Sequence, residues 1–245
     1  MSGTNRNPTK NGLRHSYQHI RRMVRVLRGV ELWWTVQQRC TRISLGNEGA
    51  SWCLCPEGLS KNSVVYCLGV GEEISFDLEL IRQFGIQVHA FDPTPRSIQW
   101  VQSQTLPDQF VFHGYGVADF DGTCSFLPPK DPNHVSHTMM PRDSPWPAIE
   151  APVYRLSTIM KMLGHSEIDL LKMDIEGAEY EVLADLLAGK IRPQQILVEF
   201  HHRWPEIGLE STREAIRGLN QVGYRIFNIS PSGEEYSFRN NRNDS

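Results

Sequence analysis

The chain has 245 residues, of which 40% are hydrophobic and 22% charged, with a formal net charge of −3 at pH 7. Such a composition suits a soluble globular protein, long enough for one full α/β domain with an N-terminal extension, and excludes a low-complexity chain. No apolar run approaches the ~20 residues needed to span a bilayer, and the polar start does not read as a secretory signal peptide. Five scattered cysteines (Cys40, Cys53, Cys55, Cys67, Cys124) give neither a disulfide framework nor a paired zinc knuckle, which points to a reducing, cytoplasmic location.

The net charge hides an asymmetry. Residues 1–42 hold nine Lys/Arg against a single acid, Glu31, a net of +8, and the remainder stands at −11. Ile20, Met23, Val24 and Leu27 fall at i, i+3, i+4 and i+7, and Arg21, Arg22, Arg25 and Arg28 lie largely off that stripe. The pattern predicts a basic amphipathic helix over 16–38. Residues 14–28 of such a helix can lie on an anionic membrane, bind nucleic acid or mimic a transit peptide. The preferred reading packs the apolar stripe on the acidic body of the same chain, with Trp33 and Trp34 joining the dock. Residues 41–60 read as a short hairpin, so 1–60 form an extension and 61–245 the main domain.

From Ser63 the order is strand (64–68), helix (73–84), strand (87–91), helix (96–104) and strand (110–114). The first strand breaks at Gly69 and Gly71, and the second ends in Asp92. Glycine permits close backbone approach to a ligand, and a strand-end carboxylate can accept both hydroxyls of a ribose. The dinucleotide fingerprint needs a third glycine where Ile74 stands, and Glu72 and Glu73 occupy the place of the phosphates. Two carboxylates there repel pyrophosphate but tolerate a sulfonium and an ammonium, which favours S-adenosylmethionine over a nicotinamide cofactor. After the third strand, Asp119 or the backbone of Gly116, Val117 and Ala118 is placed to meet the adenine.

Residues 116–126, with Asp121-Gly122 at their centre, predict a hairpin in which Asp121 serves only the turn. Residues 127–150 carry six prolines and read as a loop walling a substrate site, with His134, Ser136 and His137 as candidate contacts. Helix (157–164), strand (168–173), helix (178–188), strand (196–200) and helix (211–222) follow. Strands over 224–229 and 235–239 close the chain as a hairpin. The whole predicts a doubly wound, seven-stranded, mostly parallel sheet of the Rossmann-like methyltransferase type with an antiparallel C-terminal hairpin.

The segments Tyr66-Cys67-Leu68-Gly69-Val70-Gly71, Phe91-Asp92-Pro93-Thr94-Pro95, Leu171-Lys172-Met173-Asp174-Ile175-Glu176-Gly177-Ala178-Glu179 and Val198-Glu199-Phe200-His201-His202 resemble the FkbM-type family of S-adenosylmethionine-dependent methyltransferases. The resemblance spans about residues 43–239 and implies O-methylation of a small metabolite or sugar hydroxyl. The sequence departs from many methyltransferases of this fold at Cys67, where an acid commonly ends the first strand. Glu72 is the candidate to replace its contact with the methionine amino group.

In an open α/β sheet, ligands bind beyond the carboxyl ends of the strands, where Asp174, Glu176, Glu199, His201 and His202 gather. In one reading Asp174 anchors the cofactor or acceptor and His201 or His202 is the general base, His201 first because alternation pairs it with Glu199. In a second, less favoured reading, Asp174, Glu176, Glu199 and one histidine hold a divalent cation. In a third, these side chains are structural: Glu176 caps the next helix and Glu199 pairs with Lys172 or Arg203. Two other functions stay open, a metal-dependent nucleotide-sugar transferase using Asp174 and Glu176, and a non-catalytic cofactor-binding module.

Overall fold

The computed structural model of the chain describes residues 8–129, 137–140 and 145–240. Helix α1 (Pro8–Leu27) leads through an extended segment to the hairpin β1 (Ile43–Leu45) and β2 (Trp52–Leu54). Then come β3 (Val65–Leu68), α2 (Ser75–Phe84), β4 (Val88–Phe91), α3 (Pro95–Gln102) and β5 (Phe110–His113). Three short strands follow, β6 (Gly116–Val117), β7 (Gly122–Phe126) and β8 (Ile149–Tyr154). The chain continues through α4 (Leu156–Leu163), β9 (Leu170–Met173), α5 (Glu179–Ala188), β10 (Gln195–Glu199), α6 (Gly208–Gln221), β11 (Tyr224–Ile229) and β12 (Glu235–Asn240).

The main sheet has seven strands in the order β11-β12-β10-β9-β3-β4-β5. Parallel pairs run from β10 to β5, and β12 inserts antiparallel between β10 and β11, as the alternating β and α units and the terminal hairpin predict. Strands β3, β4 and β9 are buried along their whole length, as strands covered on both faces must be. One face packs Leu156 and Ile159 of α4, Val182 of α5 and Ile216 of α6; the other packs Leu45, Trp52 and Leu54 of the hairpin with Phe76 and Leu80 of α2. The hairpin therefore shares its core with β3 and α2.

Five expectations change. The helix expected over 16–38 ends at Leu27, because Gly29 takes a left-handed φ of 71° and its N–H and that of Val30 bond back to Val26 and Arg25, a Schellman stop. Its apolar stripe does not dock on the body: Ile20 is 60% and Leu27 86% exposed, and Arg22 is the residue that buries. Strands β6 and β7 do not form a hairpin, since both pair with β8, which lies between them. Strand β8 occupies the end of the stretch expected to be a loop, and His134 and Ser136 lie outside the described residues. Asp121 does more than turn the chain, accepting from the Arg155 N–H at 2.8 Å and the Thr158 hydroxyl at 2.7 Å at the start of α4.

Candidate active site

The carboxyl edge of the sheet opens into a cleft of about 240 Å³. Its centre is the turn after β3. Gly69 has φ 82°, and a Cβ there would lie 1.7 Å from the Asp174 carbonyl oxygen, so only glycine lets β3 and β9 meet at their ends. Asp92 holds the turn in shape: Oδ2 accepts from the Val70 and Gly71 N–H groups at 3.1 and 2.9 Å. Oδ1 accepts from the Thr94 N–H at 2.9 Å and hydroxyl at 2.6 Å. Each carboxylate oxygen has about two acceptor sites, so the Asp92 carboxylate is already engaged within the chain. It holds the glycine turn in shape from the strand end at which the sequence places a ribose contact.

Glu72 borders the cleft but is bound to Arg96 at 2.7 and 3.2 Å, and that guanidinium lowers its pKa. It is not a free partner for an ammonium group. Gly116 and Val117 line the cleft with Phe91, Pro93 and Phe126, whereas Asp119 is exposed and borders no part of it. The adenine-side expectation therefore narrows to Gly116 and Val117.

The other wall is acidic. Asp174, Glu176, Glu199 and Glu235 all line it, and β9 and β10 set the first three side by side through their parallel pairing. Burial, then Asp174 and Glu235, push Glu199 up to about 9, so its carboxyl carries a proton at neutral pH. Behind this wall the Glu179 side chain is fully buried and accepts from the Ile175 and Gly177 N–H groups at 2.8 and 3.0 Å. It braces the loop that carries Asp174 and Glu176.

His201 sits 3.2 Å from Glu179 and 3.5 Å from Glu176. Burial alone lowers an imidazole pKa, but Glu179, Glu176 and Asp174 outweigh it and push His201 up to about 10. It is an imidazolium at neutral pH and cannot serve as the general base expected of it. Ligand atoms of Asp174, Glu179 and His201 lie within 4.8 Å of one another, yet both Glu179 oxygens brace the loop and His201 supplies the cation itself. His202 faces the other way, its Nε2 2.7 Å from Glu31. Arg203 joins the same carboxylate at 2.6 Å, so His202 ties the N-terminal segment to the body and is no part of the cleft.

Two charged side chains that the sequence reading did not place in a ligand site lie on the cleft wall beside the glycine turn, Lys172 among them rather than paired with Glu199. Lys172 is 8% exposed, donates to the Gly69 carbonyl at 2.8 Å and lies 5.1 Å from the Trp52 ring centroid. Asp77 of α2 is 6% exposed, and its Oδ1 is buried with no hydrogen-bond partner among the described residues. The signals existed: Lys172 interrupts an apolar strand, and Asp77 stands three residues after Ile74 and four before Ile81, on the inward face of α2.

The profile of the FkbM methyltransferase domain matches residues 47–226. The chain belongs to the FkbM methyltransferase family. Two curated relatives, both probable methyltransferase-like protein 24, are 28% (Rattus norvegicus) and 26% (Homo sapiens) identical to this FkbM-family chain over 179 residues. Each alignment covers 69% of the chain and 43% of the relative, so the chain spans less than half the length of either. Among solved structures, the FkbM methyltransferase of Methylobacillus flagellatus is similar at TM-score 0.46 and 14% identity, over 74% of this chain and 44% of that one. Aeropyrum pernix fibrillarin, solved with natively bound S-adenosyl-L-methionine, is similar at TM-score 0.40 and 10% identity, over 74% and 66%. Among the described residues, no helix is long and apolar enough to cross a membrane.

Proposed function

We propose that this FkbM-family chain is an S-adenosylmethionine-dependent methyltransferase acting on a hydroxyl oxygen of a small molecule or sugar. The observation that carries the reading is the glycine turn, closed against the Asp174 carbonyl where any Cβ would collide. It brings bare backbone to the centre of the cleft, as a cradle for a nucleoside requires. The acidic wall suits a sulfonium and repels the phosphates of a nucleotide sugar. All five cysteines are free thiols, which supports a reducing, cytoplasmic setting.

Gly69, Val70 and Gly71 offer the backbone edge for the nucleoside, and Gly116, Val117 and Phe126 offer an apolar wall for its base. When bound, S-adenosylmethionine supplies a methyl carbon on a sulfonium for in-line displacement by the acceptor oxygen. Aligning the acceptor is the main catalytic task and can contribute about 7–11 kcal/mol. Asp174 borders both the glycine turn and the acidic wall, and we assign it the orienting of the acceptor hydroxyl and receipt of its proton at a carboxylate oxygen. Glu199, holding its proton, adds no charge to that wall, and the His201 imidazolium offsets the charge gathered there.

Calorimetry with S-adenosylhomocysteine and with a UDP-sugar plus Mn²⁺ tests this. The reading expects one homocysteine nucleoside bound per chain and no response to the UDP-sugar. The reverse pattern would identify a nucleotide-sugar transferase instead. A tight complex that never turns over across a broad acceptor panel would favour the non-catalytic module.

A further inference from the structure

The strand-end position that Cys67 occupies leaves a chemical need unmet. An amino-acid tail is a zwitterion, and a site that holds it wants one carboxylate for the ammonium and one cation for the carboxylate. Neither Glu72, tied to Arg96, nor Asp92, bonded four times within the chain, is available to it. Cys67 and Lys172 are partners across β3 and β9, and Asp77 reaches the same place from α2.

We propose that Asp77 and Lys172 form the subsite for the amino-acid end of the cofactor, Asp77 supplying the carboxylate that β3 lacks. The proposal rests on the S-adenosylmethionine reading and names which residues hold that half of the molecule. Both side chains line the cleft beside Gly69, Val70 and Gly71. Both are more than nine-tenths buried, where a charge is costly; each offsets the other, and the Cys67 thiol bonds Asp77. Among the described residues the Oδ1 of Asp77 has no hydrogen-bond partner, and a buried polar atom without one calls for a ligand. Lys172 has three N–H donors, of which one is given to the Gly69 carbonyl. The ammonium thus docks on Asp77 and the carboxylate on Lys172, while the nucleoside extends across the glycine turn towards Val117.

The competing explanation is that Asp77, in the first turn of α2, only complements the helix N-terminus. Calorimetry separates the two with S-adenosylhomocysteine and methylthioadenosine, which share the thio-nucleoside and differ in the amino-acid tail. The wild-type protein should bind S-adenosylhomocysteine at least about tenfold more tightly, the scale of a charge-assisted contact. Asp77→Asn and Lys172→Gln should each weaken S-adenosylhomocysteine at least about tenfold and leave methylthioadenosine within about twofold, so that the preference collapses. Unchanged methylthioadenosine binding also reports a folded cleft. Variants that keep the wild-type preference, or lose both ligands together, overturn the subsite. A wild-type protein that binds both ligands equally overturns it while leaving the cofactor reading intact. One that binds neither ligand removes the cofactor reading, and the subsite with it.

Discussion

Gly69 makes the most local prediction. Alanine there would put a methyl group 1.7 Å from the Asp174 carbonyl oxygen at a φ of 82°, and Gly69→Ala should cost at least about 2 kcal/mol. Urea unfolding checks it; a variant with the wild-type midpoint would show that β3 and β9 can part without cost. Asp174→Asn keeps the shape of the side chain but removes the proposed proton acceptor. It should leave the melting temperature near wild type and slow turnover about a hundredfold or more once an acceptor is in hand. At this scale the sequence was legible where a residue type has one use, as at Gly69, and less so where a side chain has several. The histidine pair read as candidate bases because nothing in the linear order shows that Glu31 lies against His202 or Glu179 against His201. Asp77 is less legible because acids flank it in sequence, at Glu73 and Glu79, although it sits on the buried side of α2.

The N-terminal arm divides in two at the level of elements. Helix α1 leaves Ile20, Met23 and Leu27 exposed, so deleting residues 1–27 should lower the melting temperature by only a few degrees. The segment beyond it is held firmly. Glu31 is buried and receives His202 and Arg203, and Gln37 exchanges hydrogen bonds with Ile226 of β11. Glu31→Ala would strip the buried His202 of its partner and leave Arg203 with Glu234 as its acidic partner, and should cost about 1–3 kcal/mol. Differential scanning calorimetry of the two proteins gives the comparison; a larger loss from the helix deletion would contradict it. The helix was expected to run on because Val30, Leu32, Trp33 and Trp34 prolong the apolar pattern past the stop at Gly29. Strand β8 is hidden for a different reason: Ile149, Ala151 and Val153 point inward in alternation, but Pro152 in their midst is atypical of a strand. The β and α units of the main sheet were legible because their apolar runs and glycine or proline boundaries agree.

Across the whole molecule, buried imidazoles set the response to pH. His89 lies 3.1 Å from His113, and His165 bonds Tyr66 at 2.8 Å. Burial, then His113 and His165, lower His89 to about 4, and burial lowers His113 and His165 as well. The unfolded chain binds these protons more readily, so their contribution is present above about pH 6.5 and lost as pH falls towards 4. His201, raised to about 10, contributes fully below about pH 6.5, and that contribution is lost as pH rises towards 10. Glu199, raised from 4.5 to about 9, loses its contribution as pH rises through that whole window, which blunts the gain on the acid side and steepens the alkaline decline. Stability should therefore peak at about pH 6 to 7. Melting temperatures from pH 4 to 10 should show both limbs, and His201→Gln should flatten the alkaline one; an unchanged alkaline limb would mean that His201 is not held as an imidazolium.

At that same scale, a crystal structure with S-adenosylhomocysteine tests the central claim most directly. The account predicts the nucleoside lying across Gly69, Val70 and Gly71, its base against Val117 and Phe126, and its sulfur facing Asp174. Electron density for the ligand at any other place on the chain, or an empty cleft at saturating ligand, would contradict it.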